Sequence, residues 1–176
     1  MSARATGLRL LLAGALLLAP ALEAQARGHL LIVGGGNQPE ALVARFVELA
    51  GGPGKARIIV VPMASSEPEE TGEEKAVQLR EFGAEAVVLN LSRAEAEDGA
   101  SAARLDGVTG IWFTGGDQVP LARALQDTPV LRAMLRRYRE GAVVGGTSAG
   151  AAIMGDSMLT GNQRRPDSLG YYGDEF

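Results

Sequence analysis

The stretch GAVVGGTSAGAAIMG, residues 141–155, decides how this chain is read. An apolar run, Ala142–Val144, ends in the pair Gly145–Gly146, Ser148 follows between small residues, and an alanine-rich segment begins. A buried strand that turns into a helix has this pattern. Residues Gly146 to Gly150 also fit G-x-S-x-G, in which a serine on a strained turn is exposed above the carboxyl ends of the strands. Such a turn needs glycine two residues before and after the serine, because backbone packs closely there. It also aims the next amide, that of Ala149, at a developing oxyanion, and a following helix N-terminus adds favourable partial charge. The pattern is equally that of a packing turn made of small residues, so the flanking sequence has to discriminate.

Outward from this turn, short apolar runs alternate with amphipathic segments. HLLIVGGG (29–36), ARIIVVP (56–62), AEAVVLNL (84–91), GVTGIWF (107–113) and AVVGG (142–146) predict strands. PEALVARFVELA (39–50), EEKAVQLREFG (73–83), VPLARAL (119–125) and TPVLRAMLRRYREG (128–141) predict helices, with Thr128 and Pro129 at the N-cap and first position of the last. SRAEAEDGASAARL (92–105) reads as a broken helical stretch. Strands alternating with helices predict an α/β fold, a mainly parallel sheet covered on both faces, in one domain over residues 27–176. The closing stretch, residues 156–176, lacks the pattern of a final strand or helix, and the fold is expected to be C-terminally incomplete.

Composition narrows the chemistry. The chain has 176 residues, no cysteine and one histidine, His29. Thiol catalysis, disulfides and multi-histidine or cysteine metal sites are therefore not expected, and no metal is assigned. Arg4 and Arg9 precede the apolar run LLLAGALLLAPAL (10–22), and Ala24-Gln25-Ala26 has the small-x-small form of a cleavage site. Residues 1–26 are read as a secretory signal, which implies export to the periplasm or outside the cell. The run is short for a bilayer span of about 20 residues, so no stable membrane span is expected after cleavage. The net charge of −4, made slightly more negative by that cleavage, disfavours general nucleic-acid binding.

Two further glycine turns follow predicted strands. FTGGDQ (113–118) offers the amides of Gly115 and Gly116 as a second oxyanion donor. Asp117 and Gln118 there can hold a polar substrate, and Asp117 suits a helix N-cap as well. GGGN (34–37) superficially resembles a dinucleotide loop, but Pro39 occupies the last glycine position of G-x-G-x-x-G.

Taken together, LIVGGGN, IWFTGGDQ and GGTSAGAAIMG, in that order across residues 29–155, resemble the cyanophycinase branch of a serine peptidase family that also contains peptidase E, the aspartyl dipeptidase. The resemblance implies a glutamine-amidotransferase-like three-layer α/β sandwich with serine in place of the amidotransferase cysteine. It implies Ser148 as nucleophile, Ala149 with Gly115 or Gly116 as oxyanion hole, Gln118 as a substrate contact, and no cofactor. The implied substrate is a peptide or a cyanophycin-like polymer, poly-aspartate carrying β-linked arginine, cut to β-aspartyl-arginine. A homodimer is compatible with it.

The resemblance also implies a histidine and an acidic partner C-terminal to the serine, and no histidine follows Ser148. His29 precedes the first strand, at the wrong end of a parallel sheet; Asp167, Asp174 and Glu175 have no imidazole to orient. The expectation is a fragment of a longer peptidase, inactive as written, with three alternatives: a secreted binding module, a pseudoenzyme, or an aspartyl-dipeptidase-like peptidase. Arg164 and Arg165 either meet the carboxylates of an aspartate-rich polymer or belong to a solvated loop.

Overall fold

The β-branched runs become strands. A computed structural model describes residues 28–165 and 168–173, with side chains described through Thr160. The expected leader, residues 1–26, lies outside the described residues, as do Asp167, Asp174 and Glu175.

Strands β1 (Leu30–Val33), β2 (Arg57–Val61), β3 (Glu85–Val88), β4 (Gly110–Phe113) and β5 (Val143–Thr147) form one sheet in the order β1-β5-β4-β2-β3. All four pairings are parallel, as expected. Successive side chains of a strand point to opposite faces, and β2 divides its load accordingly. Ile58 and Val60 pack with α1 (Glu40–Leu49) and α2 (Pro68–Glu81), while Ile59 and Val61 face the opposite core. That second core holds α3 (Arg93–Ala96), α4 (Gly99–Ala103), α5 (Gln118–Leu125), α6 (Pro129–Arg139) and α7 (Ala149–Ala152).

The chain leaves β1 and β2 toward the α1–α2 face, and leaves β4 and β5 toward the other. Neighbouring strands whose connections diverge open a crevice above their carboxyl ends, where open α/β sheets take ligands. The glycine pair in β5 serves both faces. A Cβ at Gly145 would lie 2.7 Å from the Phe46 ring and 2.9 Å from that of Trp112, and one at Gly146 would lie 2.4 Å from the Gly150 carbonyl oxygen. Gly145 thus makes room for the edge-to-face pair Phe46–Trp112, whose centroids are 5.0 Å apart.

Two expectations require correction. Helix α2 starts at Pro68, five residues before the predicted start, with Gly72 buried inside it. A Cβ on Gly72 would meet Val88 at 2.8 Å and Pro62 at 3.2 Å, so this glycine marks a close helix–sheet approach and not a turn. The closing stretch is also structured. β6 (Ser157–Arg165) and β7 (Ser168–Gly173) pair antiparallel with register shifts on either side of Gln163. Its apolar residues do not alternate regularly, and bulges of this kind break the period that would have announced a hairpin. Arg164 and Arg165 stand in β6 rather than in a loop.

Candidate active site

Thr147 ends β5, and the backbone then folds sharply at Ser148. Ser148 has φ 53° and ψ −113°, and Asp127 is the other non-glycine residue with positive φ among those described. A non-glycine residue held there costs of order 1–3 kcal/mol, which the surroundings must hold in place. They do so through backbone. The Ser148 amide donates to the Val33 carbonyl at 2.9 Å, and its own carbonyl accepts from the amides of Ala151 and Ala152 at 2.9 and 3.0 Å. Gly150 is pressed against β4, where an added Cβ would lie 2.3 Å from the Phe113 carbonyl oxygen. The Ser148 residue is exposed, and its hydroxyl has no hydrogen-bond partner among the described residues.

The three glycine turns converge on this serine. Cβ positions built on Gly115 and Gly35 lie 3.5 and 3.9 Å from the Ser148 Cβ. The amides of Gly115, Gly116 and Ala149 have no backbone acceptor among the described residues. Gly116 (φ 137°) is held so close to Ala64 that a Cβ would lie 1.9 Å from its carbonyl oxygen, and the Asp117 amide donates to that oxygen at 2.8 Å. Helix α7 is a single turn, so the helix dipole expected from sequence is correspondingly small.

Other predicted residues are already engaged. Asp117 caps α5, its carboxylate accepting from the Val119 amide at 2.9 Å. The Gln118 side-chain amide donates to the Leu159 carbonyl at 2.7 Å and so ties α5 to β6. His29 is exposed at the opposite end of the sheet, where its carbonyl accepts from the Val144 amide. At ~3.3 Å per residue along β5, that is on the order of 15 Å from Ser148.

Sequence reasoning missed the cavity beside the serine. About 1040 Å³ lies between the β1–α1 loop, α2 and the ends of β4 and β5, lined among others by Gln38, Lys75, Trp112, Thr114, Gly115 and Thr147. The Lys75 ammonium stands 4.8 Å from the centroid of the Trp112 ring and donates to Gln38 Oε1 (2.8 Å) and Gln78 Oε1 (2.5 Å). Burial pushes its pKa down from the usual value to about 8, since a desolvated ammonium gives up its proton more readily. Gln38 also reaches the Thr147 hydroxyl, at 3.4 Å. Trp112 Nε1 and Thr114 Oγ1 are buried with no hydrogen-bond partner among the described residues. In sequence Lys75 is one more charge on an amphipathic helix; only the tertiary fold places it over an indole.

Comparison with known proteins agrees with this geometry. The description of peptidase family S51 matches residues 29–169. Cyanophycinase of Synechococcus elongatus is 37% identical over 139 residues, 76% of this chain and 43% of its own. Cyanophycinase of Trichormus variabilis is 37% identical over 137 residues, 74% of this chain and 46% of its own. The chain thus spans about half the length of the curated relatives it matches. The crystal structure of a peptidase from an acI-B1 Actinobacterium superposes with a TM-score of 0.67 at 26% identity, covering 77% of this chain and 59% of that one.

Proposed function

Because this chain belongs to peptidase family S51, we propose that it carries the nucleophile and oxyanion hole of a cyanophycinase-type serine peptidase. The substrate is cyanophycin, cut to β-aspartyl-arginine. The observation that carries this reading is Ser148 itself: a strained, exposed serine packed beside Gly115, where the amides of Gly115 and Ala149 have no backbone acceptor among the described residues. In the reaction the Ser148 Oγ attacks the scissile carbonyl while a base takes its proton. The carbonyl oxygen becomes an oxyanion that accepts from the amides of Ala149 and of Gly115 or Gly116. The C–N bond then breaks as the amine leaves with that proton, and water hydrolyses the acyl-enzyme. Preorganised amide donors of this kind contribute on the order of 10²–10³ in rate.

The base is not among these residues, since no histidine follows Ser148 and His29 lies at the far end of the sheet. Loss of a triad member costs several orders of magnitude, so the 176 residues alone are expected to be nearly inactive. Export through residues 1–26 and assembly as a homodimer belong to the proposal.

Fluorophosphonate labelling followed by mass spectrometry tests it. The chain as given is expected to label slowly. The chain joined to the histidine-bearing C-terminal half of a cyanophycinase relative is expected to take one equivalent at Ser148 and to release β-aspartyl-arginine. Failure of the joined, folded protein to label excludes Ser148 as nucleophile, and rapid labelling of the 176 residues overturns the missing base.

A further inference from the structure

We propose that Lys75 is a positioning residue for the nucleophile turn: through Gln38 it holds the β1–α1 loop, residues 34–38, against Ser148. The inference rests on the peptidase reading only for the role of Ser148; the contacts that form the latch do not depend on it.

The loop has little else to hold it. Gly35 and Gly36 have φ of 139° and 72°, and Cβ positions built on Gly34 and Gly36 meet nothing within 4 Å. Among the described residues no backbone–backbone hydrogen bond involves Gly34, Gly35, Gly36, Asn37 or Gln38. Helix α1, which follows, begins without a side-chain cap. Yet Gly35 stands beside the serine, its built Cβ 3.9 Å from the Ser148 Cβ. Glycine-rich backbone without such bonds opens at little cost, so its place beside the serine needs a tie from outside.

Gln38 is that tie. Its side-chain nitrogen donates to the Gly36 carbonyl within the loop and, at 3.4 Å, to the hydroxyl of Thr147, the residue before Ser148. Its Oε1 accepts from the Lys75 ammonium at 2.8 Å. One end of a side-chain amide donates and the other accepts, whereas an ammonium only donates. Lys75 therefore fixes which way the Gln38 amide faces, with oxygen toward α2 and hydrogens toward the loop and the turn. Lys75 is itself held, 4.8 Å from the centroid of the Trp112 ring and bonded to Gln78 Oε1. Glu70, Glu73, Glu74 and Glu81 line the same cavity, yet Lys75 forms no ion pair among the described residues. The ammonium is spent on two neutral amide oxygens, and one of them belongs to the latch.

Backbone amide relaxation of residues 34–37 by NMR, and alkylation of a Ser148→Cys thiol, test the latch on the chain as it stands. The wild-type loop is expected to keep order parameters near the ~0.85 of rigid backbone, and Lys75→Met or Gln38→Leu to lower them below ~0.6. Gln38→Glu is the sharper variant. It keeps an acceptor for Lys75 and adds charge attraction, but an ionised carboxylate has no hydrogen for Gly36 or Thr147. The loop is expected to be released as fully as by Gln38→Leu. In the Ser148→Cys background, release should raise alkylation by N-phenylmaleimide about fivefold relative to the smaller iodoacetamide, the effect of about one lost hydrogen bond. A general loss of stability would raise both rates together. Lys75→Met is expected to add nothing to Gln38→Leu, because one residue acts through the other. Thermal melts verify that each variant is folded. A loop that stays ordered in Gln38→Glu, or additive effects of Lys75→Met and Gln38→Leu, overturns the latch. None of these readouts needs peptidase activity. A Lys75-dependent loop beside a Ser148 that fluorophosphonate never labels in the joined protein overturns the peptidase reading alone.

Discussion

A methyl group added at Gly34 or Gly36 meets nothing within 4 Å, whereas one added at Gly146 or Gly150 falls 2.4 or 2.3 Å from a carbonyl oxygen. The two loops look alike in sequence, small residues after an apolar run. Their glycines answer different demands. Around Ser148 backbone presses on backbone, so hydrogen is the largest substituent that fits. In the β1–α1 loop the space is open, and Gly36 is needed for its φ of 72° while Gly34 has no such demand. Glycine content alone does not separate a nucleophile turn from an ordinary one; what crowds the glycines does.

The comparison breaks most visibly at the crowded turn. Gly146→Val and Gly150→Val are expected to abolish activity in a catalytically complete protein. Overpacking and strain should cost at least ~1–3 kcal/mol, read by denaturant unfolding. Normal folding of both would remove the distinction between the loops. Gly36→Ala should cost about 1 kcal/mol, because an L side chain is unfavourable at that φ even with room to spare.

Lys75, bonded to Gln38 at the end of the open loop, gives a pH-dependent contrast. Its native pKa is lowered to about 8 by burial, below the ordinary lysine value of 10.5. Between these values the unfolded chain binds more protons, so the lysine's contribution to stability improves as pH rises. The stability of wild type relative to Lys75→Met should therefore rise from pH 8 to 10.5 in parallel melts. A flat difference would show that the ammonium is solvated.

The smallest effects are expected from Gly34→Ala and Ser148→Ala, each within ~0.5 kcal/mol of wild type. Ser148→Ala keeps the strained backbone and removes only a hydroxyl with no partner among the described residues. A melt several degrees lower for Ser148→Ala would make the serine structural.

Sequence pattern carried the parallel strands because a strand buried on both faces is apolar throughout, and it carried the caps at Thr128 and Asp117 because those are local. Strand order was not legible, since nothing local says that β5 lies between β1 and β4. The earlier start of α2 was not legible, because Gly72 serves a close approach to Val88 that no local pattern shows. At the site, the three turns announced themselves through adjacent glycines, but their convergence on Ser148 is a product of sheet order. Gln118 was read as facing substrate, and its tie to Leu159 depends on a hairpin that the sequence did not announce. The Lys75 cavity joins residues from the β1–α1 loop, α2, β4 and β5, with no spacing to find it by.

The chain contains no cysteine, so Ser148→Cys introduces a single thiol at the centre of the account. The pH dependence of its alkylation by iodoacetamide gives the thiol pKa without needing the absent base. An ordinary thiol titrates near ~8.5, and converging amide donors stabilise the thiolate. If the amides of Gly115, Gly116 and Ala149 surround the position as an oxyanion hole, the pKa falls by about one unit or more and alkylation is fast near neutrality. A pKa at or above the ordinary value, in a variant that melts like wild type, would contradict the nucleophile turn.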